Sequence, residues 1–136
     1  MTQTTEFSFL LKTLPNGTIS IFATHDISEG TSIFNEPFAL RVMKTKDVPD
    51  AFKDYYLPLN NEECVCPEKF DRMEIGWYLN HSSNPNIEKR VERNYENIID
   101  FLQANSFYAI KNIKAGDEIT MDLERVHKII DSILNN

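Results

Sequence analysis

The sequence has 136 residues, of which 41% are hydrophobic and 11% aromatic, and this length fits one domain with a compact core. The net charge of −7 disfavours direct binding to nucleic acid, which needs a basic face, and suits a basic protein or Lys-rich peptide as partner, although acidity also serves solubility alone. The sequence contains no apolar run of about 20 residues and no signal-peptide pattern near residue 1. We therefore expect a soluble intracellular protein, in the cytoplasm or nucleus, with no direct contact to nucleic acid or membrane.

The first 43 residues predict four short strands. Apolar and polar residues alternate over 7–11 and again over 19–23, which is the period of a half-buried strand. Between them, the Pro-Asn-Gly sequence within residues 14–17 predicts a turn. Strand-like segments at 31–36 and 38–43 follow, separated by Pro37.

Residues 44–74 differ from the strands around them, because they carry eight acidic and five basic residues in mixed short patterns. Short helices are expected over 50–57 and 68–79. We interpret 44–74 as an insert packed on the β framework of a single domain that spans residues 1–136. Cys64 and Cys66 are expected to be ordinary thiols on a loop, since a closed zinc site needs four ligands.

The remaining chain predicts three strands and one helix. Strands are expected over 97–102, 106–110 and 118–121, after a charged connection. Apolar residues then recur at three- and four-residue spacing over 122–134, which predicts a C-terminal helix with Asp122 as its N-cap. The apolar stripe of this helix either packs within the chain or forms a homodimer contact. The fold class is therefore mainly β, of the α+β type.

Three segments, in this order, resemble the SET domain family. Residues 21–37 resemble its N-terminal stretch, which leads through a turn to a strand ending in Glu and Pro. Residues 80–86, Asn-His-Ser-Ser-Asn-Pro-Asn, match the Asn-His-Ser-x-x-Pro-Asn signature without a gap. Residues 107–123 resemble the C-terminal strand, turn and Gly-Glu-Glu-Leu-Thr motif. The resemblance covers residues 15–123.

This resemblance implies a SET-type β-clip in which the chain near residues 80–82 and the segment after Gly116 form a pseudoknot. It implies a protein-lysine N-methyltransferase that uses S-adenosyl-L-methionine as cofactor, with the methyl group crossing a tunnel to a lysine. An apolar tunnel also lowers the pKa of that lysine, which must lose its proton before it reacts. The cofactor-binding residues implied in this chain are Gly17, Ile21, Phe22, Asn80 and His81.

The sequence departs from the family pattern at two places. The glycine pair that lets the backbone approach the cofactor falls on residues 18–20, Thr-Ile-Ser, and Gly17 lies one residue early. The tyrosine that ends the C-terminal motif and is regarded as catalytic is replaced by Leu123.

Other tyrosines are candidates for the missing hydroxyl: Tyr78 and Tyr108, or else Tyr55 or Tyr56 from the insert. The alternatives are a SET-fold module that binds cofactor or a partner without turnover, and a structural domain that binds neither. No metal is expected, because His81 has no second ligand at suitable spacing and the family's C-terminal cysteines are missing.

Overall fold

The computed structural model describes residues 9–34, 38–104 and 106–135. Within these residues it contains ten short strands, two α-helices and three short 3₁₀ helices. The strands are β1 (Phe9–Thr13), β2 (Ile19–Ala23), β3 (Ser32–Ile33), β4 (Leu40–Lys44), β5 (Leu57–Pro58), β6 (Glu63–Pro67), β7 (Asn80–His81), β8 (Ile87–Lys89), β9 (Phe107–Ala109) and β10 (Glu118–Met121). The helices are α1 (Ile98–Gln103) and α2 (Leu123–Leu134), and the 3₁₀ helices span Thr45–Asp47, Asp50–Phe52 and Ile75–Tyr78. The predominance of short strands confirms the predicted α+β class.

The larger sheet has the strand order β1-β2-β10-β8-β9-β3, and β7 joins it by pairing with β10. Strand β10 is its centre, because it pairs antiparallel with β2 and parallel with both β7 and β8. The smaller sheet has the order β4-β6-β5 and is built mostly from residues 44–74. The interpretation of 44–74 as an insert within one domain stays a prediction.

The core lies on the inward faces of the larger sheet. Ile21, Ile33, Ile87 and Ile119 are fully buried there, each at an inward position of its strand. Burial of such a side chain contributes about 1.5–3 kcal/mol relative to exposure, so this cluster holds the short strands together.

The turn predicted at 14–17 is confirmed. The Leu14 amide donates to the Thr18 carbonyl at 2.7 Å, and Gly17 has a φ of 87°. Strand β2 follows as predicted, whereas β3 and β4 are shifted or shorter than expected. Phe7 and residues 35–37, which belong to two of the predicted strand segments, lie outside the described residues.

The strand predicted over 97–102 is wrong, because these residues form helix α1. The Asn97 side chain accepts a hydrogen bond from the Asp100 amide at 2.9 Å and so caps the helix. Ile98, Phe101 and Leu102 then share one buried face at the three- and four-residue spacing of a helix.

The two helices predicted in the insert are also wrong. Within the predicted segments 50–57 and 68–79, only Asp50–Phe52 and Ile75–Tyr78 are helical, each as a short 3₁₀ helix. Cys64 and Cys66 do not lie on a loop: both are buried in β6, where they alternate with Val65 between β4 and β5. Residues 64–67 of β6 are buried whichever face they point to, which explains why this part of the strand is apolar, whereas Glu63 at its start is exposed.

The predicted C-terminal helix is confirmed as α2, with Asp122 as its cap. The Asp122 carboxylate accepts from the Arg125 amide at 3.1 Å. Val126 and Ile130 are buried, and Leu134 is exposed, so most of the apolar stripe packs within the chain. Neither helix in the described part of the chain has the length and apolar character needed to cross a membrane.

Candidate active site

Strands β7 and β10 bring the central signature and the C-terminal motif together. Asn80 pairs with Thr120 and His81 pairs with Met121 in parallel register. The next amide, that of Ser82, donates to the Met121 carbonyl at 3.0 Å. Two segments that lie 40 residues apart in sequence are thus joined by backbone hydrogen bonds, as the pseudoknot hypothesis requires.

Asn86 fastens the end of the signature to the same strand. Its side-chain oxygen accepts from the Thr120 amide at 3.0 Å, and its side-chain nitrogen donates to the Glu118 carbonyl at 2.8 Å. Its own carbonyl accepts from the Ile110 amide at 2.9 Å. A short amide side chain supplies both a donor and an acceptor here, which an aspartate cannot do.

The side chains of Asn80 and His81 hold neighbouring elements in place. Asn80 Nδ2 donates to the Ile19 carbonyl at 3.2 Å, which ties β7 to β2. His81 Nδ1 accepts from the Leu123 amide at 3.1 Å, at the first residue of α2. In the neutral ring the proton therefore lies on Nε2, and the exposed side of the imidazole remains accessible to a ligand.

A cavity of about 230 Å³ opens beside these strands. Its wall includes Leu79, Met121 and Leu123, which neighbour or pair with the Asn80–His81 segment. The lining is mostly apolar and comprises Phe38, Leu40, Asp54, Tyr56, Leu57, Gly76, Trp77, Leu79, Lys89, Leu102, Phe107, Met121, Leu123, Val126 and His127. An apolar cavity with a few polar groups is the usual form of a small-ligand or side-chain site.

Gly76 lets an aromatic ring close one side of this cavity. A Cβ atom at Gly76 would lie 2.4 Å from Cζ of Phe38, which no real side chain tolerates. Phe38 in turn stacks on Phe107 with ring centroids 5.9 Å apart and contacts Trp77 at the same separation. The glycine before Trp77 is therefore a packing requirement of the cavity wall.

Lys89 is a cavity residue that the sequence analysis missed. Its side chain is 1% exposed, and its Nζ donates to the Ala104 carbonyl at 2.8 Å and to Ser106 Oγ at 3.0 Å. Burial lowers the pKa of Lys89 from its ordinary value of 10.5 to about 8, although Glu92 acts in the opposite direction. In β8, Ile87 and Lys89 share the inward face and Glu88 lies between them.

The family model of the SET domain matches residues 18–123, which is most of the chain. The chain belongs to the SET domain family. Among curated proteins, none matches it significantly.

Two solved structures show the same fold. One is a protein of Plasmodium falciparum provisionally described as a histone methyltransferase: it is 21% identical, the match covers 86% of this chain and 92% of that chain, and the TM-score is 0.51. The other is KRYPTONITE in complex with mCHG DNA and SAH, at 19% identity and a TM-score of 0.58, where the match covers 85% of this chain and 23% of that chain. At these identities the similarity concerns the fold alone.

Leu123 stands where the family resemblance implies a catalytic tyrosine, and neither Tyr78 nor Tyr108 is among the residues that line the cavity. Tyr108 donates from its hydroxyl to Glu92 Oε1 at 2.8 Å, and this hydrogen bond raises the pKa of Tyr108. Tyr78 packs against Tyr55 with ring centroids 5.3 Å apart. Tyr56, in contrast, lines the cavity, as Leu123 does.

The remaining residues implied for the cofactor lie around β2. Gly17 forms the β1–β2 turn, and a Cβ placed there would meet nothing within 4 Å, so the space beside this turn is open. Ile21 is fully buried, and its backbone lies between Leu11 of β1 and Ile119 of β10. Phe22 is half-buried under the Lys12 ammonium at 5.0 Å. Asn80 contacts β2 through the Ile19 carbonyl.

One group of possible metal ligands occurs in the described residues. His81, Asp122 and Glu124 can bring one ligand atom each to within 4.8 Å of one another. The group is exposed, and two of its members already have structural roles: His81 Nδ1 binds the Leu123 amide and Asp122 caps α2. These roles account for His81 and Asp122, and the expectation of no metal stays a prediction.

Proposed function

We propose that this SET-domain chain is an S-adenosyl-L-methionine-dependent protein-lysine N-methyltransferase that acts on a basic protein or peptide. The observation that carries the proposal is the parallel pairing of Asn80–His81 with Thr120–Met121 at the wall of an apolar cavity. It supports the proposal because residues next to the family signature line an apolar cavity of about 230 Å³.

The residues at this position fit a cofactor that binds outside the cavity. Open space adjoins Gly17, the His81 ring is accessible, and Asn80 links the two regions through Ile19. Asn80 Nδ2 and His81 Nδ1 already form hydrogen bonds with backbone groups. We therefore expect the cofactor to contact the backbone of this segment and the face of the imidazole ring rather than these two atoms. When bound, the cofactor supplies the methyl sulfonium.

The cavity itself suits the acceptor amine. Its apolar wall disfavours an ammonium relative to a neutral amine and excludes water from the reacting groups. Leu123 adds no hydroxyl to this wall. The shape of the cavity therefore contributes more to positioning the substrate amine than in a site with tyrosine at this position. The net charge of −7 favours encounter with a basic substrate.

Methyl transfer to Lys-rich peptides, measured with isotopically labelled cofactor, tests the proposal. We expect incorporation into lysine peptides and none into peptides in which arginine replaces each lysine. His81→Ala should reduce transfer, whereas His25→Ala, a matched substitution at the β2–β3 connection, should not. Cofactor binding without transfer to any peptide of a broad basic panel would contradict the proposal.

A second candidate is a SET-fold module that binds cofactor or a partner without turnover, and Leu123 is the observation that favours it. Leu123→Tyr would place a phenol in the cavity wall that Tyr56 already lines. If wild-type protein binds cofactor and transfers nothing while Leu123→Tyr transfers methyl groups, this second function is correct and the first is not.

A further inference from the structure

Lys89 lines the apolar cavity, and its ammonium lies 4.5 Å from the ring centroid of Phe107, another lining residue. We propose that the buried Lys89 ammonium is a specificity-determining group, which admits an entering lysine side chain as the neutral amine and disfavours its ammonium form. This inference rests on the proposed function, since it concerns the substrate amine in the same cavity.

The geometry holds this ammonium in place. Its two hydrogen-bond acceptors, the Ala104 carbonyl and Ser106 Oγ, are both neutral. The faces of Phe107 and Phe101 lie 4.5 and 5.0 Å from Nζ, and Phe107 is shared with the cavity wall. Within the described residues, Lys89 takes part in no salt bridge. The charge is therefore fixed and is not cancelled by direct contact with a carboxylate.

Other charged groups around Lys89 do not remove this effect. Glu92 favours the ammonium form, but burial outweighs it in the pKa of Lys89. Asp54 and His127 line the cavity at exposed positions, where water screens them. Arg125 donates from Nη1 to the Lys89 carbonyl at 2.8 Å, and it is exposed, so water screens its charge as well.

Two ammonium groups in one apolar cavity repel each other. For a separation of roughly 6–8 Å and an effective dielectric constant of about 20, the pKa of the second amine falls by about 1.5–2 units. An entering lysine would then leave its proton in solvent and bring the free electron pair that attack on a methyl sulfonium requires.

The test compares wild-type protein with Lys89→Met, which keeps the length of the side chain and removes the charge. The acid limb of kcat reports the pKa of the bound amine. In Lys89→Met it should move up by about 1.5–2 units, so kcat at neutral pH falls by about 30- to 100-fold. KM for the peptide should fall in parallel, since the ammonium form now binds, and kcat/KM should change little.

Structural damage would lower kcat/KM and would not lower KM. A fall in both kcat and KM at nearly constant kcat/KM therefore distinguishes loss of the charge from a packing defect. Lys89→Arg keeps a positive charge and should retain the wild-type acid limb. An acid limb of Lys89→Met that coincides with wild type, in protein that still binds S-adenosylhomocysteine, would overturn the inference and leave the proposed function intact.

A second measurement uses wild-type protein without turnover. With S-adenosylhomocysteine present, a peptide carrying norleucine should bind at least tenfold more tightly at pH 6 than the matching lysine peptide. The preference should shrink above pH 8, as Lys89 and the peptide amine lose protons. Equal or tighter binding of the lysine peptide at pH 6 would overturn the inference, and a wild-type chain that binds neither peptide would overturn the proposed function as well.

Discussion

Replacement of Lys89 by methionine should change how the stability of the protein depends on pH. The pKa of Lys89 is about 8 in the folded protein against 10.5 for the exposed side chain. Between these values the unfolded chain holds a proton that the folded chain lacks, so the free energy of unfolding of wild type rises with pH. The penalty for the buried ammonium is full below about pH 8 and is relieved toward pH 10.5.

The pKa difference sets the magnitude. Going from pH 7 to pH 10 should relieve about 2–3 kcal/mol in wild type, because one pKa unit corresponds to about 1.4 kcal/mol. Lys89→Met lacks this term. It also leaves the Ala104 carbonyl and Ser106 Oγ without their donor, which costs about 1–3 kcal/mol at every pH. The pH dependence of the difference in free energy of unfolding between the two proteins therefore reports the effect of the buried charge alone.

Urea unfolding followed by tryptophan fluorescence at pH 7, 8, 9 and 10 makes the comparison. Relative to wild type, Lys89→Met should lose about 2–3 kcal/mol of stability as pH rises from 7 to 10. Lys114→Met, which removes an exposed ammonium beside the turn before β10, is the matched control. If Lys89→Met and Lys114→Met show the same pH dependence, the buried charge assigned to Lys89 is wrong.

Three further substitutions test the fold around the site. Asp122→Ala removes the α2 cap and should cost about 1 kcal/mol in urea unfolding, whereas Asp131→Ala, exposed within the same helix, should cost less; equal costs would contradict the capping role. Asn86→Asp removes the donor to the Glu118 carbonyl and should cost about 1–3 kcal/mol, which unchanged stability would refute. Gly76→Ala should displace Phe38 at a cost of about 1–3 kcal/mol and alter peptide affinity; wild-type values for both would show that the ring does not close the cavity.

Much of the strand framework follows from the sequence, because its signals are local. The Pro-Asn-Gly turn before β2, the alternating pattern of 19–23 and the capped helix α2 were predicted and are confirmed. The α1 helix was predicted as a strand, since four of the six residues over 97–102 are apolar and the segment has the length of a strand. Asn97 followed by Asp100 three residues later is typical of a helix N-terminus. In the structure the Asp100 amide donates to the Asn97 side chain, so this pair begins the helix.

The site is less readable from sequence than the framework. Residues 80–86 indicated which segment carries the family signature, but the cavity is assembled from the insert, β8, β9 and α2, which only tertiary packing brings together. Lys89 gave no motif, and a lysine at the end of a short strand is usually exposed. Its burial depends on acceptors at Ala104 and Ser106, which α1 and β9 position.

Calorimetric titration of the wild-type chain with S-adenosylhomocysteine tests most directly whether the Asn80–His81 segment forms a cofactor site. Saturable binding at one molecule per chain is predicted, weakened at least tenfold by His81→Ala and unchanged by His25→Ala. Absence of saturable binding to a wild-type protein that unfolds cooperatively would contradict the proposed methyltransferase function.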